Sequence, residues 1–161
     1  MQREELEKAI QYYMATHNTI SLASLGEDGP HAATVFYVNQ GWDIFYLSSP
    51  MSKHSQNLSR NPKVAATINE DYDNWLIIKG IQLHGVVEQV GSIRENIALA
   101  RAYIKKFPAV ADFFLAPHKL GKHVMEKVSR VRFYKLIPHQ IYFINNEIGF
   151  GHRDELPLSH A

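Results

Sequence analysis

Apolar residues at the start of the chain repeat at helical spacing. Leu6, Ile10, Tyr13 and Met14 share one face of residues 3–16, with glutamate and lysine elsewhere, which predicts an amphipathic helix ending at His17-Asn18. The period then changes to two. Residues 19–25 (TISLASL), 32–38 (AATVFYV) and 43–48 (DIFYLS) read as three strands. Turn chemistry at Gly26-Glu27-Asp28-Gly29-Pro30 and at Asn39-Gln40-Gly41 joins them as hairpins. Ser49-Pro50-Met51 breaks the third strand, and Ser52 caps a short predicted helix over 52–59. Asn61-Pro62 stops that helix, because a residue before proline avoids the helical region. Residues 63–69 (KVAATIN) give a fourth strand, and 74–90 read as one long strand region in which Gly80 and Gly85 mark bulges or bends.

Ser92 and Glu95 form a capping box that opens a helix with the apolar stripe Ile93, Ile97, Ala100, Ile104 and Phe107, ended by Pro108. Residues 109–115 add a further turn or two, 116–127 fit loop or helix, and 129–137 and 140–145 return to strand pattern on either side of Pro138-His139. Residues 152–161 read as a polar tail that frays, which leaves 1–151 as a single domain. Consecutive strands joined by short turns pair antiparallel, and glycines inside the long strand favour a barrel over a sandwich. The expected fold is therefore mainly β with flanking α-helices: a six- to seven-stranded antiparallel barrel, closed or partly open.

Composition narrows the function. The 161 residues are 45% apolar, enough for one core. Seventeen lysines and arginines against 16 acids leave a net charge of +1, without the basic excess of a nucleic-acid binder. The absence of cysteine excludes disulfides, thiolate metal sites and cysteine nucleophiles, and favours the cytoplasm. The N-terminus lacks the apolar segment of a signal peptide, and no apolar run approaches the roughly 18 residues of a membrane helix. The nine histidines form no cluster (His118 and His123 are five apart), so no metal site is expected.

The candidate chemistry lies at Ser48-Ser49-Pro50-Met51-Ser52-Lys53-His54, where a strand runs into a helix. Free N–H groups at a helix start, three serine hydroxyls and a lysine charge form a donor set for an anion such as phosphate. The same run also fits an ordinary capped helix with a solvated lysine.

The order of elements carries a resemblance. An N-terminal helix precedes the Ala23-Ser24-Leu25 strand, the Asp28-Gly29-Pro30 turn and the Phe45-Tyr46 strand; Ser-Lys-His then opens a short helix before Asn61-Pro62-Lys63-Val64 and the long strand with Gly85. This resembles the FMN-binding split-barrel superfamily, the pyridoxamine 5′-phosphate oxidase-like proteins, over roughly residues 5–110. Ile141-Tyr142-Phe143 and Ile148-Gly149-Phe150-Gly151 are similar to small uncharacterised bacterial members.

The resemblance implies a split β-barrel homodimer that holds FMN. By position, Ser52, Lys53 and His54 bind its phosphate, and Ser48 and Ser49 contact ribityl or phosphate oxygens. Val35, Phe36 and Tyr37 lend backbone groups to the ring edge, and Trp75 and Gln82 approach the ring across the dimer seam. His31 and Tyr37 are candidate proton donors. Two departures argue against the vitamin-synthesis enzyme itself. Ala33 stands where that enzyme has a phosphate-pairing arginine, and its C-terminal arginine segment is not recognisable, although Arg153 lies in that region. The expected function is FMN binding with flavin-dependent redox chemistry. The alternatives are a non-enzymatic flavin, haem or deazaflavin carrier on the same fold, or a structural dimer that has lost its ligand. Residues 149–153 read either as a lid or as a plain turn.

Overall fold

A computed structural model describes residues 2–158. Helix α1 (Arg3–Thr16) is followed by β1 (Thr19–Gly26), β2 (Gly29–Gln40), β3 (Asp43–Ser48), α2 (Lys53–Arg60), β4 (Lys63–Asn69) and β5 (Lys79–Gln89). Then come α3 (Ile93–Lys106), α4 (Ala111–Leu115), α5 (Lys122–Val128), β6 (Arg132–Asn145) and β7 (Arg153–Pro157). All strand pairs are antiparallel, in the order β3-β2-β1-β4-β5-β6-β7, and β3 also pairs with β6. Six strands thus close a barrel, and β7 lies outside it on β6.

Two helices plug the barrel. At one end α1 inserts Ile10 and Met14, both fully buried, against Ile20, Ile68 and Ile81. At the other end α2 packs beneath the β1–β2 turn, where Asn57 Nδ2 donates to Ser24 Oγ at 3.1 Å. Gly26 permits this approach, since a Cβ there would lie 2.4 Å from Asn57 Oδ1. Helix α3 lies on the barrel's outer face over a second core of Val38, Phe45, Val90, Leu99, Tyr103 and Phe133.

Four expectations are corrected. Residues 75–77 form a 3-10 turn, because the Asn74 side chain accepts the Leu76 N–H at 3.0 Å, so the strand begins only at Lys79. Pro138-His139 does not divide β6. A register shift at His84/Gly85 absorbs the missing N–H as a bulge, and Gly85 leaves room where a Cβ would meet the Ile137 carbonyl at 2.4 Å. Within the segment expected to fray, residues 153–157 form β7, held by pairing with β6 and by Leu156, which is 1% exposed. The rest of that segment, 159–161, lies outside the described residues. Finally, α3 buries Leu99 and Tyr103, which join the second core, and leaves Ile93 and Ile97 exposed.

Candidate functional site

The barrel is split along one seam. β2 pairs with β3 only from Tyr37↔Tyr46 to Gln40↔Asp43, whereas its residues 30–36 pair with β1 alone. Strand hydrogen bonds alternate in direction. The Tyr37 N–H donates to Asn18 O, towards the β1 side, so the backbone groups of Phe36 and Thr34 face the seam while those of Val35 face β1. Tyr103 bridges the top of the split: its hydroxyl donates to Phe36 O at 2.7 Å and lies 3.2 Å from Phe45 O. Burial raises the pKa of this hydroxyl, keeping it a neutral donor.

An apolar groove of about 610 Å³ opens beside the seam. Thr34 and Phe36 of β2, Leu47 of β3, and Tyr103, Phe107 and Phe113 line it. Phe36 is 59% exposed there, with Phe107 edge-on at 5.3 Å. One residue beyond Leu47, the chain enters the hydroxyl cluster. Ser48 Oγ lies 3.1 Å from Ser52 Oγ and 2.7 Å from His54 Nε2. Ser52 caps α2 by accepting the Ser55 N–H at 3.3 Å, and Ser49 Oγ accepts the Met51 N–H at 3.2 Å. The first N–H groups of the helix have no intrahelical acceptor. This is the donor set that a phosphate group needs.

Lys53 extends to Asp28 in the β1–β2 turn, with Nζ 2.6 Å from the carboxylate. The lysine holds that exposed carboxyl below its ordinary range, first by hydrogen bonding and then by charge. His54 is buried and points inward. Its ring lies parallel to His31 at 6.5 Å, and burial, then the His31 charge, lowers its pKa.

The expected site residues therefore fall into four groups. Ser48, Ser49, Ser52, Lys53 and His54 come together at one end of the seam, with His54 supporting the serines from behind rather than facing outward. Val35 and Phe36 line the groove. The Tyr37 side chain is fully buried and its hydroxyl donates to Met14 O at 2.6 Å, so it offers a ligand no proton. Gln82 and Trp75 lie elsewhere in the chain. Gln82 is exposed on the outer sheet face, and Trp75 stands on the 3-10 turn with its ring 5.1 Å from Phe150, edge-on. Sequence reasoning missed Thr34, Leu47, Tyr103 and Phe107. The signal for Tyr103 was present, since an aromatic with a polar tip on a buried helical row needs a partner for its hydroxyl.

The outer sheet face around Gln82 carries no charge across its middle. One row across the strands is Thr34, Ser21, Thr67 and Gln82; the next is Ala32, Ala23, Ala65 and His84. Among the described residues no helix is long and apolar enough to cross a membrane, and no three ligand-type side chains converge as a metal site.

Comparison with known proteins agrees with this architecture. The chain is 27% identical over 145 residues to a UPF0306 protein of Klebsiella pneumoniae, covering 89% of this chain and 87% of that one. Among solved structures, a putative pyridoxamine 5′-phosphate oxidase of Listeria innocua superposes with a TM-score of 0.67 at 20% identity, covering 87% of this chain and 98% of the other. HutZ, the haem storage protein of Vibrio cholerae, superposes at 0.66 and 21% identity, covering 91% and 96%. The family model described as pyridoxamine 5′-phosphate oxidase matches residues 6–145, and the chain belongs to that family.

Proposed function

We propose that this protein binds FMN and works as a flavin-dependent oxidoreductase distinct from the vitamin-synthesis enzyme. One observation carries the reading: the unpaired edge of β2 faces an apolar groove of about 610 Å³ lined by Leu47 of β3, and the next residue, Ser48, begins a cluster of serine hydroxyls at a helix start. The volume suits a single organic cofactor. Phe36, Leu47 and Phe107 would hold the flavin ring. The seam-facing groups of Thr34 and the Phe36 N–H would meet its polar edge. Ser48, Ser52 and the first N–H groups of α2 would take the phosphate. Lys53 would join them by exchanging Asp28 for the ligand, a small cost because exposed ion pairs contribute little. When bound, the flavin supplies hydride and electron transfer, and the protein supplies position and electrostatics.

The same reading makes the protein a homodimer in the cytoplasm. The uncharged outer face suits a second copy, and two-fold pairing is what would bring Trp75 and Gln82 towards a groove they do not reach within one protomer.

A second reading has an observation of its own. An apolar groove of about 530 Å³ over β1, β4 and β5 is lined by Leu25, Ala65, Val86, His84, His139 and Lys63, which offers imidazoles for a haem iron and an ammonium for a propionate. The haem storage neighbour is consistent with it.

An absorbance scan and an FMN titration test both. Yellow protein, or saturable quenching of flavin fluorescence that weakens in Lys53→Ala, supports the first reading. A Soret band on haem addition with no FMN binding overturns it in favour of the second.

A further inference from the structure

The imidazole behind the serines is placed to do more than pack. His54 Nε2 faces Ser48 Oγ at 2.7 Å and Ser52 Oγ at 3.2 Å, so this ring nitrogen is directed at the two serine hydroxyls, of which Ser52 also donates to Ser55 Oγ at 2.8 Å. From β2 it is faced by His31, ring parallel at 6.5 Å, and from β3 by Tyr46, ring at 6.4 Å. On its own helix, the neighbouring Lys53 is turned away to Asp28. No carboxylate touches it among the described residues. A charged imidazole here would be buried beside a second histidine, with no counter-charge in contact among the described residues. The lowered pKa of His54 reflects this, through burial first and His31 second.

We propose that His54 couples anion binding at this cradle to proton uptake, acting on the ligand's phosphate through Ser48. The inference rests on the reading that a phosphate group sits at Ser48–Lys53. With the cradle empty, His54 is neutral, and when its Nε2 is the bare nitrogen the Ser48 hydroxyl proton is turned inward to it. When a phosphate arrives, the imidazole takes a proton from solvent and Nε2–H donates to Ser48 Oγ. The Ser48 hydroxyl then donates outward to the phosphate. The phosphate supplies the missing counter-charge, and the imidazolium strengthens the donor that holds it. His54 is thus a positioning residue, and affinity for a phosphate-bearing ligand depends on pH in a way that affinity for its dephosphorylated analogue does not.

The test is calorimetric titration at pH 7 in two buffers of different ionisation enthalpy, with FMN and with riboflavin, on wild type and His54→Gln. The difference between the two proteins cancels the phosphate's own ionisation. FMN binding should take up more protons in wild type than in His54→Gln, and riboflavin should show no such difference. From pH 8 to pH 5.5, wild-type FMN affinity should rise several-fold relative to the variant, about tenfold being the ceiling if the ligand raises the His54 pKa by about one unit. Should His54→Gln fail to fold, the His54 resonance in wild type is titrated by NMR with and without saturating FMN, and must move to higher pKa with it. Equal proton uptake in the two proteins, or an unmoved resonance, overturns the coupling while leaving the phosphate site intact. Absence of FMN binding in wild type removes the site and the coupling together.

Discussion

The two ends of the barrel are plugged by helices of opposite character. The α1 end is sealed by Ile10 and Met14, and its polar atoms are settled locally: Tyr13 and Tyr37 donate their hydroxyls to the Lys79 and Met14 carbonyls. The α2 end holds Ser24, Ser48, His54, Ser55 and Asn57, all the buried polar residues other than tyrosine among those described. Burying polar groups yields less stability than burying alkyl groups of the same volume. A chain able to close one end of a barrel with isoleucine and methionine had the means to close the other. The polar plug coincides with the open edge of β2, which is why the proposed site is placed at that end.

The comparison can be broken first at the apolar end. Met14→Ala should destabilise the protein by about 2–5 kcal/mol, read by chemical denaturation, with FMN affinity of the folded fraction unchanged. Lys53→Ala should do the reverse. It should weaken FMN binding by about 1.5–3 kcal/mol in a fluorescence titration, with a denaturation midpoint close to wild type because the lysine is a surface residue. Tyr103→Phe falls between them. Losing the hydrogen bond to Phe36 O should cost about 0.5–1.5 kcal/mol of stability and also weaken FMN binding, since the groove's wall and the β2 edge lose their tie.

The pH dependence sharpens the contrast. The His54 pKa lies below its ordinary value of 6.5 in the folded protein, so below that pH the unfolded chain binds more protons than the folded one. This contribution to stability is fully present above pH 6.5 and is lost as pH falls towards the folded-state pKa. Denaturation of ligand-free protein at pH 7 and pH 5 should show that loss, and His54→Gln should flatten it. The smallest effect belongs to Asp28→Ala, which frees Lys53 and should tighten FMN binding a few-fold without changing the fold.

The sequence was legible where structure is local. The β1–β2 and β2–β3 hairpins, the Ser52 cap and the run from Ser48 to His54 were all readable, because turn residues and capping residues act over four or five positions. What the chain concealed was decided by distant partners. Trp75 leaves the strand through a side-chain bond from Asn74 and a tie to Asn146 across the sheet. β6 passes through Pro138 because Gly85 on its neighbour yields room. β7 forms from a mostly polar segment that Leu156 anchors in the core, with Leu158 packed against the same core. The proposed site divides in the same way: the hydroxyl cluster from Ser48 to His54 is one continuous run, whereas the groove is assembled from β2, β3 and the end of α3, and periodicity within any one of them gives no sign of the others.

The central claim is that the polar end of the barrel holds the phosphate of a flavin nucleotide. Its most direct test is a side-by-side titration of wild type and Lys53→Ala with FMN and riboflavin, followed by flavin fluorescence. The account predicts that wild type binds FMN at least tenfold more tightly than riboflavin and that Lys53→Ala narrows this gap. Equal affinity for the two ligands, or a gap indifferent to Lys53, would contradict it.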